Sequence, residues 1–321
     1  MTWTRALALL CVAPALAVAE PRGSGAKPAG GETEHSVLEL KPAGHPFKEL
    51  AIENPLGDIR VEGYDGDGIS IETWKYAPDE DSLDRLRVSL VPNPDGTVRI
   101  ATTADGGREV KPVPRSAVHI DIVIRAPRNT RIDAAVSAGK LVINNMDAGG
   151  ELDTSSGPIS ASNIGGELWT HSVSGKTSIA QAFGSVDAAT VSSDVDLDSI
   201  TGDKLVASAS KGSIAGRRVR ARDVELTTTD GRIQLEGEVA LRGHLVVSSL
   251  RGDVDVRLRR HGAAVVREHG VKVDLGGAPV THDGPWTTAT MGQLVGLADR
   301  GAPAVVELQS RYGNVQFMFV Q

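Results

Sequence analysis

Apolar and polar residues alternate along most of this chain with the period of two that is typical of β-strands. Ile59 and Val61, for example, flank Arg60, and the same alternation runs through Val118–Ile124. In the part of the chain before Val118, only Asp79–Leu86 has apolar residues at the spacing of a short helix. The pattern therefore predicts an all-β protein.

A repeat of about eighteen residues becomes explicit in the second half of the chain when glycines are taken as register marks. Mostly apolar residues lie two and four places after each mark. A second set of glycines falls between the marks, so each repeat holds two strands and two turns. The marks are Gly139, Gly157, Gly175, Ser193 in a glycine place, Gly212, Gly231, Gly252 and Gly313.

The even length of this repeat favours a parallel β-solenoid. Each residue can stack on its counterpart one coil below and keep the same inward or outward orientation, so apolar columns become continuous. We predict about seven coils over roughly residues 117–256, joined to a smaller β-rich N-terminal portion. One predicted inward column contains Ile159, Val195, Ile233 and Val254.

The first residues have the features of a secretory signal peptide. Residues 1–19 contain Arg5, then an apolar run that ends in small residues. This run is shorter than the roughly 20 residues of a transmembrane anchor, and Cys11 makes a lipoprotein a minor alternative. We expect an exported protein, periplasmic or extracellular, whose mature chain has no cysteine and no integral membrane segment.

The remaining sequence divides by composition and pattern. A Pro- and Gly-rich stretch of low hydrophobicity suggests a flexible leader, and a late irregular stretch interrupts the repeat. The predicted regions are a flexible leader at 20–46, a β-rich region at 47–116, the solenoid at 117–256, an irregular insertion at 257–303 with a short helix near Thr288–Leu297, and terminal capping strands at 304–321.

Composition narrows the classes of partner. Aromatic residues make up only 3% of the chain, which suits a thin core of aliphatic side chains. The formal net charge is −7 with the two signs interspersed, which argues against nucleic acid as a partner. The eight histidines have no spacing typical of a metal site, and no cofactor motif is present. We expect neither a metal nor a cofactor.

Outward charges on neighbouring coils are the first candidate surface. Asp194 and Asp196 flank Val195 and are predicted to point outward, with Lys176 one coil below. Two interpretations are open. One is a neutralising charge ladder, which we favour, and the other is a pair of carboxylates that serves a carbohydrate-active enzyme or binds a cation.

Trp169 is the second candidate, because it is the one aromatic residue whose side chain is predicted to point outward from the solenoid, next to the inward Leu168. It is a platform for stacking a sugar ring or, as we favour, a position covered by the N-terminal region.

Several segments resemble a known family. They are Ile122–Pro127, the Ser-x-Gly turns at Ser137 and Ser155, and Gly313–Phe317. Together they are similar to a bacterial β-strand-repeat family of candidate adhesins of unknown function, over roughly residues 50–321. The resemblance implies an envelope or secreted solenoid and supplies no catalytic residues. We therefore expect a non-enzymatic interaction or structural module whose partner is an envelope protein or glycan.

Overall fold

The computed structural model describes residues 31–42, 44–104, 117–259, 264–291 and 303–320. Over these ranges the chain forms strands and one short helix, α1 (Glu80–Leu83). Asp79 caps α1 by accepting a hydrogen bond from the Ser82 backbone N–H at 2.7 Å, within the segment predicted to be helical. No helix in the described ranges is long and apolar enough to cross a membrane. The expected signal peptide lies outside them.

The strands are numbered in chain order. The first ten are β1 (Glu32–Leu40), β2 (Glu49–Asn54), β3 (Ile59–Tyr64), β4 (Ile69–Ala77), β5 (Leu86–Pro92), β6 (Thr97–Ala104), β7 (His119–Pro127), β8 (Arg131–Val136), β9 (Leu141–Met146) and β10 (Gly150–Thr154). Five long strands follow: β11 (Ile159–Ser172), β12 (Thr177–Thr190), β13 (Val195–Lys211), β14 (Ile214–Asp230) and β15 (Ile233–Ser249). The last are β16 (Val254–Arg259), β17 (Ala264–His269), β18 (Val273–Asp274), β19 (Thr281–Asp283), β20 (Trp286–Met291), β21 (Ala304–Ser310) and β22 (Val315–Val320).

These strands build the predicted parallel β-solenoid. Each long strand bends, so that its first half pairs on one face and its second half on another. We call the face formed by β8, β10 and the second halves of β11–β15 the tryptophan face, and the face formed by β9, the first halves of β11–β15 and β16 the lysine face. Seven coils run from β8 to β16: β8–β9, β10–β11, β11–β12, β12–β13, β13–β14, β14–β15 and β15–β16.

The apolar core lies between the two faces. Ile159, Val195, Ile233 and Val254 are 0–1% exposed. The parallel register stacks them in one column with Thr177 and Ile214 between them, as predicted. Alternating residues of the same strands point outward, which is why a period of two in the sequence produces a thin, continuous core.

The N-terminal strands extend this stack instead of forming a separate portion. The coil β2–β3 lies between the coil β6–β7 and the coil β8–β9, and all of these pairings are parallel. β4 adds to β7, and β5 to β6, in antiparallel orientation. The expected flexible leader is wrong over Glu32–Leu40, because β1 pairs with β4 along its whole length. Its side chains are nearly all exposed, so the backbone supplies most of this pairing.

The C-terminal end contains a second inserted coil, which corrects two predictions. β21 pairs with both β15 and β17, and β22 pairs with both β16 and β18. The terminal strands are therefore an inner coil, and the segment predicted to be an irregular insertion, 257–303, supplies the outer coil β17–β18. β20 closes this end by pairing antiparallel with β17. The predicted helix near Thr288–Leu297 is wrong over 288–291, which belong to β20, and its remainder lies outside the described residues.

The glycine marks are turns held together by buried hydroxyl groups. Ser249 Oγ accepts a hydrogen bond from the Gly252 N–H at 2.8 Å and donates one to the Gly231 carbonyl of the neighbouring coil at 3.1 Å. Ser310 repeats both bonds with Gly313 and Gly252. The hydroxyl that makes these bonds belongs to the residue three places before the glycine. The serine of the Ser-x-Gly motif stands two places before the glycine and is therefore a different residue.

Gly175→Ala is expected to destabilise the protein by about 2–3 kcal/mol. A Cβ at this position would overlap the carbonyl of Gly157, which belongs to the turn one coil below. Ser193 occupies the same place one coil above and already carries a Cβ, so Ser193→Ala is the matched control and should change stability little. Urea unfolding of the two variants measures the difference, and equal losses would contradict the stacking explanation.

Candidate functional site

The four candidate surface residues do not form one site. Lys176, Asp194 and Asp196 lie at the start of the coils on the lysine face, whereas Trp169 lies in the second half of β11 on the tryptophan face. The bend within each long strand separates the two groups. A single surface that combines the aromatic ring with these charges is therefore absent.

The predicted charge ladder is present on the lysine face. Lys176 Nζ lies 2.5 Å from Asp196 Oδ2 of the next coil, and this hydrogen bond raises the pKa of the Lys176 ammonium. Asp194 Oδ1 accepts a hydrogen bond from the Ser213 backbone N–H at 2.8 Å. Both carboxylates are thus engaged in contacts between coils, which is unlike the free acid and base pair that glycoside hydrolysis requires.

The ladder continues toward the C-terminal end of the same face. Arg257 lies 3.2 Å from Asp255 and 3.7 Å from Glu236, and Arg232 lies 3.7 Å from Asp255. Arg218 pairs with Asp198. Opposite charges on adjacent coils neutralise each other here, so this face presents little net charge to a partner.

Trp169 is open to solvent on the other face. Its side chain is 53% exposed, and its neighbours in register are Glu151 of β10 and Asp187 of β12. The expectation that the N-terminal region covers it is therefore wrong for the part of the chain that is described: β1–β7 extend the stack end to end instead of folding across this face.

The carboxylates around Trp169 differ from those of the lysine face. Within the described ranges, the side chains of Glu151, Glu167, Asp187 and Glu225 have no hydrogen bond and no ion pair, and all four residues are exposed. Desolvation raises the pKa of Asp187. Lys204 opposes this effect, and the neighbouring Glu225 adds to it. We call Trp169 and these four acidic residues the tryptophan patch.

The register explains why the patch is acidic. Glu151, Trp169, Asp187 and Glu225 belong to one outward column, in which Val206 separates the last two. Neighbouring strands are about 4.8 Å apart, so the indole ring has a carboxylate-bearing residue on each side at that spacing. Since the face of an indole ring attracts cations and unpaired carboxylates do the same, the patch is suited to a positively charged ligand.

Solved structures with a remote similarity have related descriptions. A candidate adhesin from Bacteroides fragilis is 11% identical, with 89% of this chain and 97% of that chain covered and a TM-score of 0.38. A candidate adhesin from Parabacteroides merdae is 10% identical, with 89% and 96% covered and a TM-score of 0.40. A candidate lipid-binding protein from Parabacteroides distasonis is 10% identical, with 92% and 98% covered and a TM-score of 0.34. No curated protein matches the chain.

A family model provides a more specific assignment. The model described as Toastrack DUF4097 matches residues 47–270, which is more than half of the 321 residues. The match begins just before β2 and ends just after β17, so it includes the inserted N-terminal coil and the repeats that suggested a β-strand-repeat family. The chain therefore belongs to the Toastrack DUF4097 family.

Proposed function

We propose that this chain is a non-enzymatic interaction module of the cell envelope, which binds a lysine- or arginine-bearing segment of another envelope protein through the tryptophan patch. The observation that carries the proposal is the exposed indole of Trp169 among four unpaired carboxylates. The signal-like sequence of residues 1–19 supports export.

The chemistry of the two faces favours a cationic protein partner. On the lysine face the charges pair between coils. In the tryptophan patch the carboxylates form no ion pair among the described residues, although Lys204 lies near enough to Asp187 to lower its pKa. A lysine or arginine side chain over the indole ring gains a cation–π contact of about 0.5–2 kcal/mol and lies near these carboxylates. A flat face provides several such weak contacts, so affinity increases when copies are clustered.

Trp169→Ala is expected to weaken binding of a synthetic hexalysine or hexaarginine peptide by about three- to tenfold, as measured by titration calorimetry with the mature chain. Removing the indole removes the cation–π contact and leaves the carboxylates in place. Tyr312→Ala is the matched control, because Tyr312 is 61% exposed at a turn away from the patch. The Tyr312→Ala variant should bind the peptide with the same affinity as the unmodified protein.

Electrostatics give a second signature. Binding should weaken as salt increases and should weaken further in Asp187→Asn, but not in Asp194→Asn on the lysine face. Absence of peptide binding, or equal binding by Trp169→Ala and Tyr312→Ala, would refute the proposed site. Binding of neutral glycans in place of cationic peptides would identify a sugar platform, and polysaccharide turnover lost in Asp194→Asn would support the enzyme alternative.

A further inference from the structure

A cluster of three side chains with metal-ligating atoms lies at the inserted N-terminal coil, away from the tryptophan patch. One ligand atom each from Asp58, His119 and Asp121 can be chosen so that all three lie within 4.8 Å of one another. All three residues are half-buried. His119 Nε2 lies 2.6 Å from Asp121 Oδ1.

The fold brings these residues together from distant parts of the sequence. His119 and Asp121 are alternate residues of β7 and therefore point to the same side of the strand. β3 pairs in parallel with β7 so that Ile59 is opposite Ile122, which places the preceding residue Asp58 beside Asp121. The convergence thus depends on the insertion of the coil β2–β3 next to the coil β6–β7.

Backbone amides orient both carboxylates. The Lys140 N–H donates to Asp58 Oδ1 at 2.7 Å, and the Asp58 N–H donates to Asp121 Oδ1 at 3.1 Å. One oxygen of each carboxylate is anchored in this way. A metal ion would have to displace the proton between His119 Nε2 and Asp121 Oδ1 to use the imidazole as a ligand. Outer hydrogen bonds of this kind commonly orient the carboxylates of metal sites. The ring of Tyr76 packs beside His119 with 6.1 Å between ring centroids, which restricts the imidazole.

We propose that Asp58, His119 and Asp121 form a three-ligand site for a divalent transition-metal ion, for which zinc is the best fit. One imidazole nitrogen and two carboxylate oxygens are a ligand set that zinc accepts, with water as the fourth ligand. Tetrahedral zinc holds its ligand atoms roughly 3.3 Å apart, so small side-chain rotations from the present arrangement suffice. Calcium requires six to eight oxygens and is disfavoured by this set.

A bound ion would connect two coils that are adjacent in space but not in sequence. Asp58 belongs to the turn of the coil β2–β3, and the other two ligands belong to β7 of the coil beyond it. The ion would therefore fasten the inserted coil to the outer N-terminal strands and stabilise that end of the solenoid. Chelation should lower the melting temperature of the protein as isolated with zinc.

Calorimetric titration of the metal-free mature chain with zinc chloride tests the site. We expect one ion per chain, and cobalt at the same stoichiometry should give the intense visible absorption of a tetrahedral site. His119→Gln should weaken zinc binding at least about tenfold. His171→Gln is the matched control, because His171 Nδ1 lies 3.5 Å from Asp153 in another His–Asp pair, which has no third ligand among the residues that the structure describes.

If the unmodified protein does not bind zinc or cobalt at one ion per chain, the proposal is overturned. Equal weakening in His119→Gln and His171→Gln would also overturn it, since any histidine would then serve. Asp58→Asn separates a metal site from a simple ion pair: it leaves the His119–Asp121 contact intact, yet the proposal requires it to lose zinc. Circular dichroism of each variant verifies that the solenoid is folded.

Discussion

Val195→Asp is expected to destabilise the solenoid by at least about 3 kcal/mol, because it places a carboxylate in an apolar column without a partner. Val195 is 0% exposed and stacks between Thr177 and Ile214 in the parallel register. The Thr177 hydroxyl itself has no hydrogen-bond partner in the described structure and is too short to reorganise around a charge. Urea or thermal unfolding of the variant measures the loss.

Two variants on the same face serve as controls for this result. Ser160→Asp introduces the same carboxylate at an outward position, and Ser178→Ala removes a hydroxyl that points outward one coil from Ser160. Both should change the free energy of unfolding by less than about 1 kcal/mol. If either control lost as much stability as Val195→Asp, the assignment of inward and outward positions would be incorrect.

The inward and outward assignments could be predicted from sequence because each is a local property. The alternation around Val195 and the repeat of about eighteen residues together determine which side chains are stacked. The same reasoning places Lys176 on the coil next to Asp194 and Asp196, and the structure pairs it with Asp196. The buried hydroxyls of the turns were overlooked because Ser-x-Gly was the more visible pattern.

The order of the coils could not be predicted in this way. Every coil presents similar backbone edges and similar apolar columns, so a strand pattern does not specify which coil lies above it. β21 has the same alternation whether it ends the stack or lies inside it, yet it pairs with both β15 and β17. The insertion of β2–β3 was hidden for the same reason, and with it the convergence of Asp58 with His119 and Asp121.

The exposure of an outward side chain is equally hard to predict from the sequence. Trp169 was identified from its outward position, but whether another segment covers it depends on where the N-terminal strands pack. Those strands extend the stack along its axis, so the indole remains 53% exposed. The acidity of its surroundings comes from residues one repeat before and one repeat after it, Glu151 and Asp187, which the register places on either side of the indole.

Glu268 is a buried carboxyl that the sequence did not single out, because it stands in an otherwise ordinary strand pattern. It is 0% exposed on β17, opposite Leu308 of β21, and neither of its carboxylate oxygens has a hydrogen-bond partner in the described ranges. Burial, with a smaller contribution from Asp274, raises the pKa of Glu268 to about 8. The outer coil at the C-terminal end is therefore built around a carboxyl that is protonated at neutral pH.

Glu268→Gln is expected to abolish a loss of stability that the unmodified protein undergoes between pH 4.5 and about 8. In this range the folded protein keeps the Glu268 proton and the unfolded chain releases it. The contribution of Glu268 to stability is therefore fully present below pH 4.5 and is lost as pH rises. A pKa raised from 4.5 to about 8 corresponds to a decline on the order of 5 kcal/mol. Glutamine stays neutral, so the variant should be more stable than the unmodified protein at pH 9 and nearly as stable at pH 5.

Thermal unfolding of both proteins across this pH range tests the expectation. Glu307→Gln is the control, since the partly exposed Glu307 pairs with Arg267 at 3.0 Å. An unchanged decline in Glu268→Gln would show that another group causes it.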